Sequence, residues 1–239
     1  MSVAYNSSIV TSGLTLNVDA GSPRSYPGSG TLWYDASGNN NTGTLVNGPT
    51  YTGGTSGYFT FDGVDDLTSF TNTNGFGTGG VAPQATMSIW ANISRKSGGG
   101  QQFQQIAGFR DDTDYNFFFL LLDSSGATVA TEARLGTTAG LAYDINVDFT
   151  PYFNTWTNIV FVANTNRSDL YFNGILAGSN TNVAGNFGAD SGQFCIGRHP
   201  AVAAFPTLGK ISNVQFYKRA LTATEITQNF NALRGRYGI

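Results

Sequence analysis

The sequence predicts an all-β protein: two antiparallel sheets packed as a jelly-roll sandwich, with one short helix near the C-terminus. Three observations carry this reading. Apolar and polar residues alternate with a period of two along most of the chain, as strands with one buried face require. Segments rich in Gly and Asn, such as "SGNNNTG", "TNTNGFGTGG", "SGGG" and "SNTNVAGNFGADSG", separate these runs and supply the positive φ angles of tight turns. The period switches to a helical one only once, in "LTATEITQNFNAL".

Taken in order, Leu14, Leu16 and Val18 alternate in "GLTLNVDAG", and Phe59 with Phe61 in "GYFTFDG". Met87, Ile89, Ala91 and Ile93 do so in "TMSIWANIS". "NFFFLLLD", Asn116 to Asp123, is apolar on both faces, so this strand needs cover on both sides, from a loop or from a neighbouring subunit. "WTNIVFVANTNRSDLYFNG" reads as two strands about a polar six-residue turn, followed by a second turn at Asn173-Gly174. Near the end, Thr222 and Glu225 form a capping box, and Ile226, Phe230 and Leu233 share one face of a helix over residues 222–233. No internal repeat or linker divides the chain, so residues 1–239 read as one domain.

Composition prunes the functions. Charged residues make up 11% of the chain, less than half the usual share, so Asn, Thr, Ser and Gly must build the surface. The net charge is −3 and the twelve Lys and Arg are scattered, which leaves no footprint for a phosphate backbone. Nucleic acid is excluded as an expected partner. "MSVAYNSSIV" lacks the basic start and apolar run of a secretion signal, and no segment has a membrane-spanning pattern. The single cysteine, Cys195 in "QFCIGR", reads as a buried strand thiol.

Catalysis finds little support. Glycoside hydrolysis needs two carboxylates about 5–9 Å apart, yet the chain has only Glu132 and Glu225, and Glu225 is used in the helix cap. Asp111, Asp112 and Asp114 fall in a polar turn, and His199, the only histidine, has no nucleophile elbow or orienting acid around it. No catalytic residue is assigned. Calcium takes oxygens of the kind these loops offer, and Asp35 with Asn39, and Asp62 with Asp65 in "FDGVDD", are the candidate ligands; both stretches also suit plain turns. The expected cofactor is therefore none, or calcium. Aromatic platforms for a sugar are offered by Trp33, Tyr34, Tyr51 and Tyr143, each of which could equally be core.

The order "GLTLNVDAG", "SYPGSGTLWYDASGNNNTGTLVNGPTY", "FTFDGVDD", "MSIWANI", "WTNIVFVANTNRSDLYFNG" and "GKISNVQFYKRALTATEI" resembles the laminin G-like branch of the concanavalin A-like jelly rolls, over nearly the whole chain. The version ending in "NFNALRGRYGI" is similar to modules of tailed-bacteriophage virion proteins, where they occur as capsid decoration, head fibre or tail-associated domains. The resemblance implies two packed sheets, no catalytic machinery, and rim loops that bind glycans or calcium. It makes a virion protein the expectation, with capsid or tail proteins and host-surface polysaccharide as partners, a homo-oligomer among the arrangements, and the virion as its location. A free carbohydrate-binding lectin is the alternative, and a glycan-degrading enzyme a weaker one.

Overall fold

The computed structural model describes residues 8–70, 84–97, 102–109, 117–123, 129–136, 142–164, 167–181, 193–199 and 204–239. In chain order the strands are β1 (Leu14–Asp19), β2 (Leu32–Trp33), β3 (Gly43–Val46), β4 (Thr50–Thr52), β5 (Tyr58–Asp62), β6 (Leu67–Phe70), β7 (Ala85–Ile93) and β8 (Gln104–Phe109). They continue with β9 (Phe117–Leu122), β10 (Ala130–Gly136), β11 (Ala142–Ile145), β12 (Thr157–Asn164), β13 (Arg167–Phe172), β14 (Ile175–Asn180), β15 (Phe194–Ile196) and β16 (Leu208–Tyr217), and helix α1 (Ala223–Leu233) follows.

One eight-stranded sheet runs β14-β13-β12-β7-β16-β5-β4, with β1 also paired to β16; the second runs β11-β10-β9-β8-β15-β6-β3-β2. β7 lines one side of β16. On the other side β5 takes its first residues, Leu208 to Ile211, and β1 takes Asn213 to Tyr217. This is the two-sheet antiparallel sandwich with a C-terminal helix that the sequence predicts.

The core lies between the sheets. Phe59, Phe61, Met87, Ile89, Ala91 and Ile93 enter it from the first sheet, and Phe70, Phe109, Phe119 and Phe194 from the second. Leu16 and Val18 join them, but Leu14 packs in a separate cluster outside the first sheet with Val160, Val162, Tyr217 and Ile226. The cause is a register shift between Leu14 and Leu16, which moves Leu14 to the other face.

Helix α1 covers that outer cluster. Its capping box is present: Glu225 N donates to Thr222 Oγ1 at 3.3 Å and Thr222 N donates to Glu225 Oε2 at 2.9 Å. Arg219 adds two bonds to the same carboxylate, at 2.9 and 2.6 Å. Beyond the helix, Tyr237 stacks on Trp90 at 4.2 Å and its hydroxyl donates to Ser212 Oγ, while Arg236 holds both carboxylate oxygens of Asp19 at 2.7 Å. The chain end is thus strapped across the sheet.

One expectation changes in detail. The β12–β13 connection is shorter than six residues, because pairing continues out to Asn164 opposite Arg167. The following turn does use Asn173 and Gly174, both at positive φ, as a tight hairpin requires. In β9, Phe119 and Leu121 face the core, whereas Leu120 lies outside it yet is only 2% exposed. Phe119, Leu120 and Leu121 are thus buried on both faces of the strand.

Candidate functional site

The acidic stretch forms at the exit of β5. Phe61 ends its buried alternation, Gly63 turns the chain at φ +79, and Asp62, Asp65 and Asp66 bring carboxylate oxygens within 4.8 Å of one another. Asp62 N donates to Asp66 Oδ2 and Val64 N to Asp62 Oδ1, so two of the acids also shape the turn. Burial pushes the Asp66 carboxyl up, against the Asp62 N–H bond and with the charges of Asp62 and Asp65. Lys96, a residue with no signal in the sequence, donates to Gly63 O at 2.9 Å; burial lowers its pKa and nearby Asp62 opposes that. The cluster offers three carboxylates where calcium takes six to eight oxygens, and an ammonium already stands beside them.

Asp35 sits elsewhere. Its Oδ1 accepts from Asn17 N and Ser37 N, and its Oδ2 from Ser37 Oγ and Asn41 N. Asn39 turns its amide nitrogen to Leu14 O and Ser37 Oγ. These bonds pin the loop after β2 onto β1, and a cation at Asp35 would have to displace them. Asp35 with Asn39 therefore does not fit calcium. Nor does it join the Asp62 cluster: Leu208 opposes Asp62 and Gln215 opposes Asn17, seven residues apart on β16, or roughly 23 Å.

The four aromatic candidates also separate. Trp33 is 0% exposed, with its ring 4.8 Å from Phe59, so it is a core residue and is corrected from sugar platform to packing. Tyr51 is half-buried: its ring packs on Tyr26 and Phe59, and its hydroxyl donates to Ala20 O. Tyr34 is 41% exposed, next to Leu32 at 40%, at the edge of the second sheet. The side chain of Tyr143 lies outside the described residues, as do Asp111, Asp112 and Asp114.

Sequence reasoning missed the outer face of the second sheet. Gln105 pairs with Leu120 there, fully buried, and neither its amide nitrogen nor its oxygen has a hydrogen-bond partner. Each unmade bond of this kind costs about 1–3 kcal/mol. Arg198 Nε is likewise buried without a partner. Cys195 is on the same face, and burial pushes its thiol up to about 12, with the charge of Arg198 pulling weakly the other way. β15 stops at Ile196 and Gly197 takes φ +98, so the spacing that would align Cys195 with His199 along one strand is broken. His199 is buried against the Phe205 ring.

The fold defines a two-sheet sandwich of the lectin type. A model of the family described as the concanavalin A-like lectin/glucanases superfamily (Laminin_G_3) matches residues 52–227, and the chain belongs to that family. No curated protein matches it. Among solved structures it is similar to the binding domain of Paraclostridial Mosquitocidal Protein 1, with TM-score 0.69 and 17% identity over 92% of this chain and 52% of that one. It is also similar to the botulinum neurotoxin serotype D ligand binding domain in complex with N-acetylneuraminic acid (TM-score 0.64, 13% identity, 92% of this chain and 51% of that one). A third is the Trypanosoma rangeli sialidase in complex with the inhibitor DANA (TM-score 0.64, 16% identity, 93% and 33%). At these identities the likeness is one of fold, and the chain spans about half of each binding domain and a third of the sialidase.

Proposed function

We propose that this chain is a non-catalytic carbohydrate-binding module carried on a virion, where it decorates the capsid or tail and presents its loops to host-surface glycans. The observation that carries the non-catalytic part is how the described carboxylates are spent. Asp19 holds Arg236, Asp123 holds Arg95, Asp169 holds Arg167 and Glu225 holds Arg219, while Asp35 anchors a loop. Among the described residues Asp148 accepts from Thr150 N at 2.8 Å, and the rim trio at Asp62, Asp65 and Asp66 has no arginine but is accompanied by Lys96. A glycosidase needs one carboxyl as acid and a second as base or nucleophile.

Support for glycan binding comes from the fold shared with binding domains, one of them in complex with N-acetylneuraminic acid, and from Tyr34 at an open sheet edge. Support for the virion is the sparsely charged surface and the phage-like order of motifs. The free lectin is the second reading, favoured by the same structural neighbours. Immunogold electron microscopy of lysate particles distinguishes the two: gold on capsid or tail is expected, and particles free of gold with the epitope accessible would leave the free lectin. Release of reducing sugar from a bound polysaccharide would overturn the non-catalytic reading. Calcium enters the proposal only at Asp62, Asp65 and Asp66; the expected readout is a rise in Tm on calcium addition that Asp65→Asn removes.

A further inference from the structure

We propose that the outer face of the first sheet carries a subsite for an acidic sugar, in which the rings of Trp156 and Tyr58 take the apolar face of the pyranose and Lys210, between Asn92 and Thr60, takes its carboxylate. The proposal deepens the glycan-binding reading and rests on it.

The register places the polar residues together. Lys210 on β16 pairs with Asn92 on β7 and with Thr60 on β5. Residues directly opposite in an antiparallel ladder share a face, with Cβ atoms about 5 Å apart. That face is the outer one: Ala91, Ile93, Ile211, Phe59 and Phe61 enter the core, so their polar neighbours in the chain point away from it. All three polar residues are half-buried, and among the described residues none has a side-chain hydrogen bond or an ion pair. By contrast Arg236 is spent on Asp19, and Lys96 on the carbonyl of Gly63.

The rings border this row. Tyr58 is the outward residue before Thr60 on β5, and Lys210 Nζ lies 5.0 Å from the centre of its ring. Trp156 precedes β12 by one step from the Thr157–Ala91 pair, and so stands level with Asn92. With β7 and β16 between them, β12 and β5 are three strand spacings apart, roughly 14 Å, yet the two ring centroids are only 5.7 Å apart. The side chains therefore lean together over β7 and β16, beside Lys210. Tyr237, stacked on Trp90, backs the Trp156 ring at 4.8 Å, which holds the platform in place before a ligand arrives. Both rings are half-buried and belong to neither apolar cluster, so core packing does not account for them.

Charge complementarity selects the ligand. The Lys210 ammonium and the Trp156 Nε1–H only donate, whereas Asn92 and Thr60 can donate or accept. Asp62, the next outward residue on β5, accepts from Val64 N and its charge is felt at Lys96, so Lys210 is left without an anion. A pyranose bearing a carboxylate offers its C–H face to the rings, its anion to the ammonium and its hydroxyls to the amide and the threonine. Uronic and sialic acids are sugars of this kind. A neutral sugar would leave the ammonium unpaired.

The test titrates the full chain by calorimetry with trigalacturonate and with N-acetylneuraminic acid, each against its carboxyl-reduced form. At least one acid is expected to bind about tenfold or more tighter than its reduced partner. Lys210→Gln is expected to abolish that preference while moving Tm by less than about 2 °C, as a half-buried surface change does. Trp156→Ala is expected to weaken acid and reduced form alike, by about fivefold or more. Equal binding of acid and reduced sugar, or a Lys210→Gln protein that keeps the preference, overturns the subsite and leaves the module reading standing. Unchanged affinity in Trp156→Ala overturns it too. No binding of these sugars or of neutral glycans takes both down.

Discussion

A thiol whose pKa is pushed up to about 12 is almost wholly protonated at pH 8, and Cys195 is such a thiol. A thiol reagent is therefore expected to label native protein far more slowly than urea-unfolded chain; equal rates would show that the outer face of the second sheet opens freely. Its neighbour Gly197 is constrained from the other side. A Cβ there would lie 2.5 Å from the Phe61 ring and 2.9 Å from Asp66 O, at φ +98. Gly197→Ala is expected to cost about 2–4 kcal/mol in a urea titration, through strain and core displacement together. Trp33 and Tyr34 show what single residues conceal. Adjacent strand residues must point to opposite faces, and both rings suit either face. The choice of Trp33 for the core depends on Phe59, which is distant in sequence. Gln105 was hidden for a similar reason: "QQFQQ" reads as polar surface, and only the register places Gln104 and Gln105 in buried layers on opposite faces of the strand.

Among the elements, α1 was the most legible, because a capping box is local chemistry and its residues lie three apart. Bonds from Arg219, and then from Thr222, hold Glu225 well below the usual carboxylate range, at about 2. A depressed folded pKa contributes stability that is present above the unfolded value near 4.5 and is lost as the pH falls towards 2. The Tm difference between wild type and Glu225→Gln is expected to shrink over that window, and a constant difference would refute the coupling. The bulge near Thr15 and the short β12–β13 connection were not legible. Pairing two residues against one leaves no mark on composition, and polar residues serve equally as turn or as strand end. The strap after α1 was missed because "RGRYGI" is too short to show a period. Its contribution is measurable: Tyr237→Ala removes the stack on Trp90 and the bond to Ser212, and is expected to lower stability by about 3 kcal/mol. A loss below about 0.5 kcal/mol, the range of ordinary surface changes, would show that the strap is ornamental.

For the whole molecule, the two-sheet architecture could be read from alternation and turn spacing because each strand buries one face, and that requirement repeats along the chain. Sheet order could not, since it is set by partners far apart in sequence. The centre of the first sheet shows this best. β16, which follows every other described strand in chain order, is the strand that β1, β5 and β7 all pair with. A nascent chain leaving the ribosome therefore carries β1, β5 and β7 before the partner they share has appeared. Until then β1, β5 and β7 expose unpaired edges and apolar faces, the condition in which β-rich chains aggregate or need chaperones. Closure of the sandwich becomes a late and cooperative event with a large loop-closure cost. Premature termination before residue 208 should accordingly leave insoluble chain in place of a smaller folded domain, making intact translation itself the checkpoint for assembly.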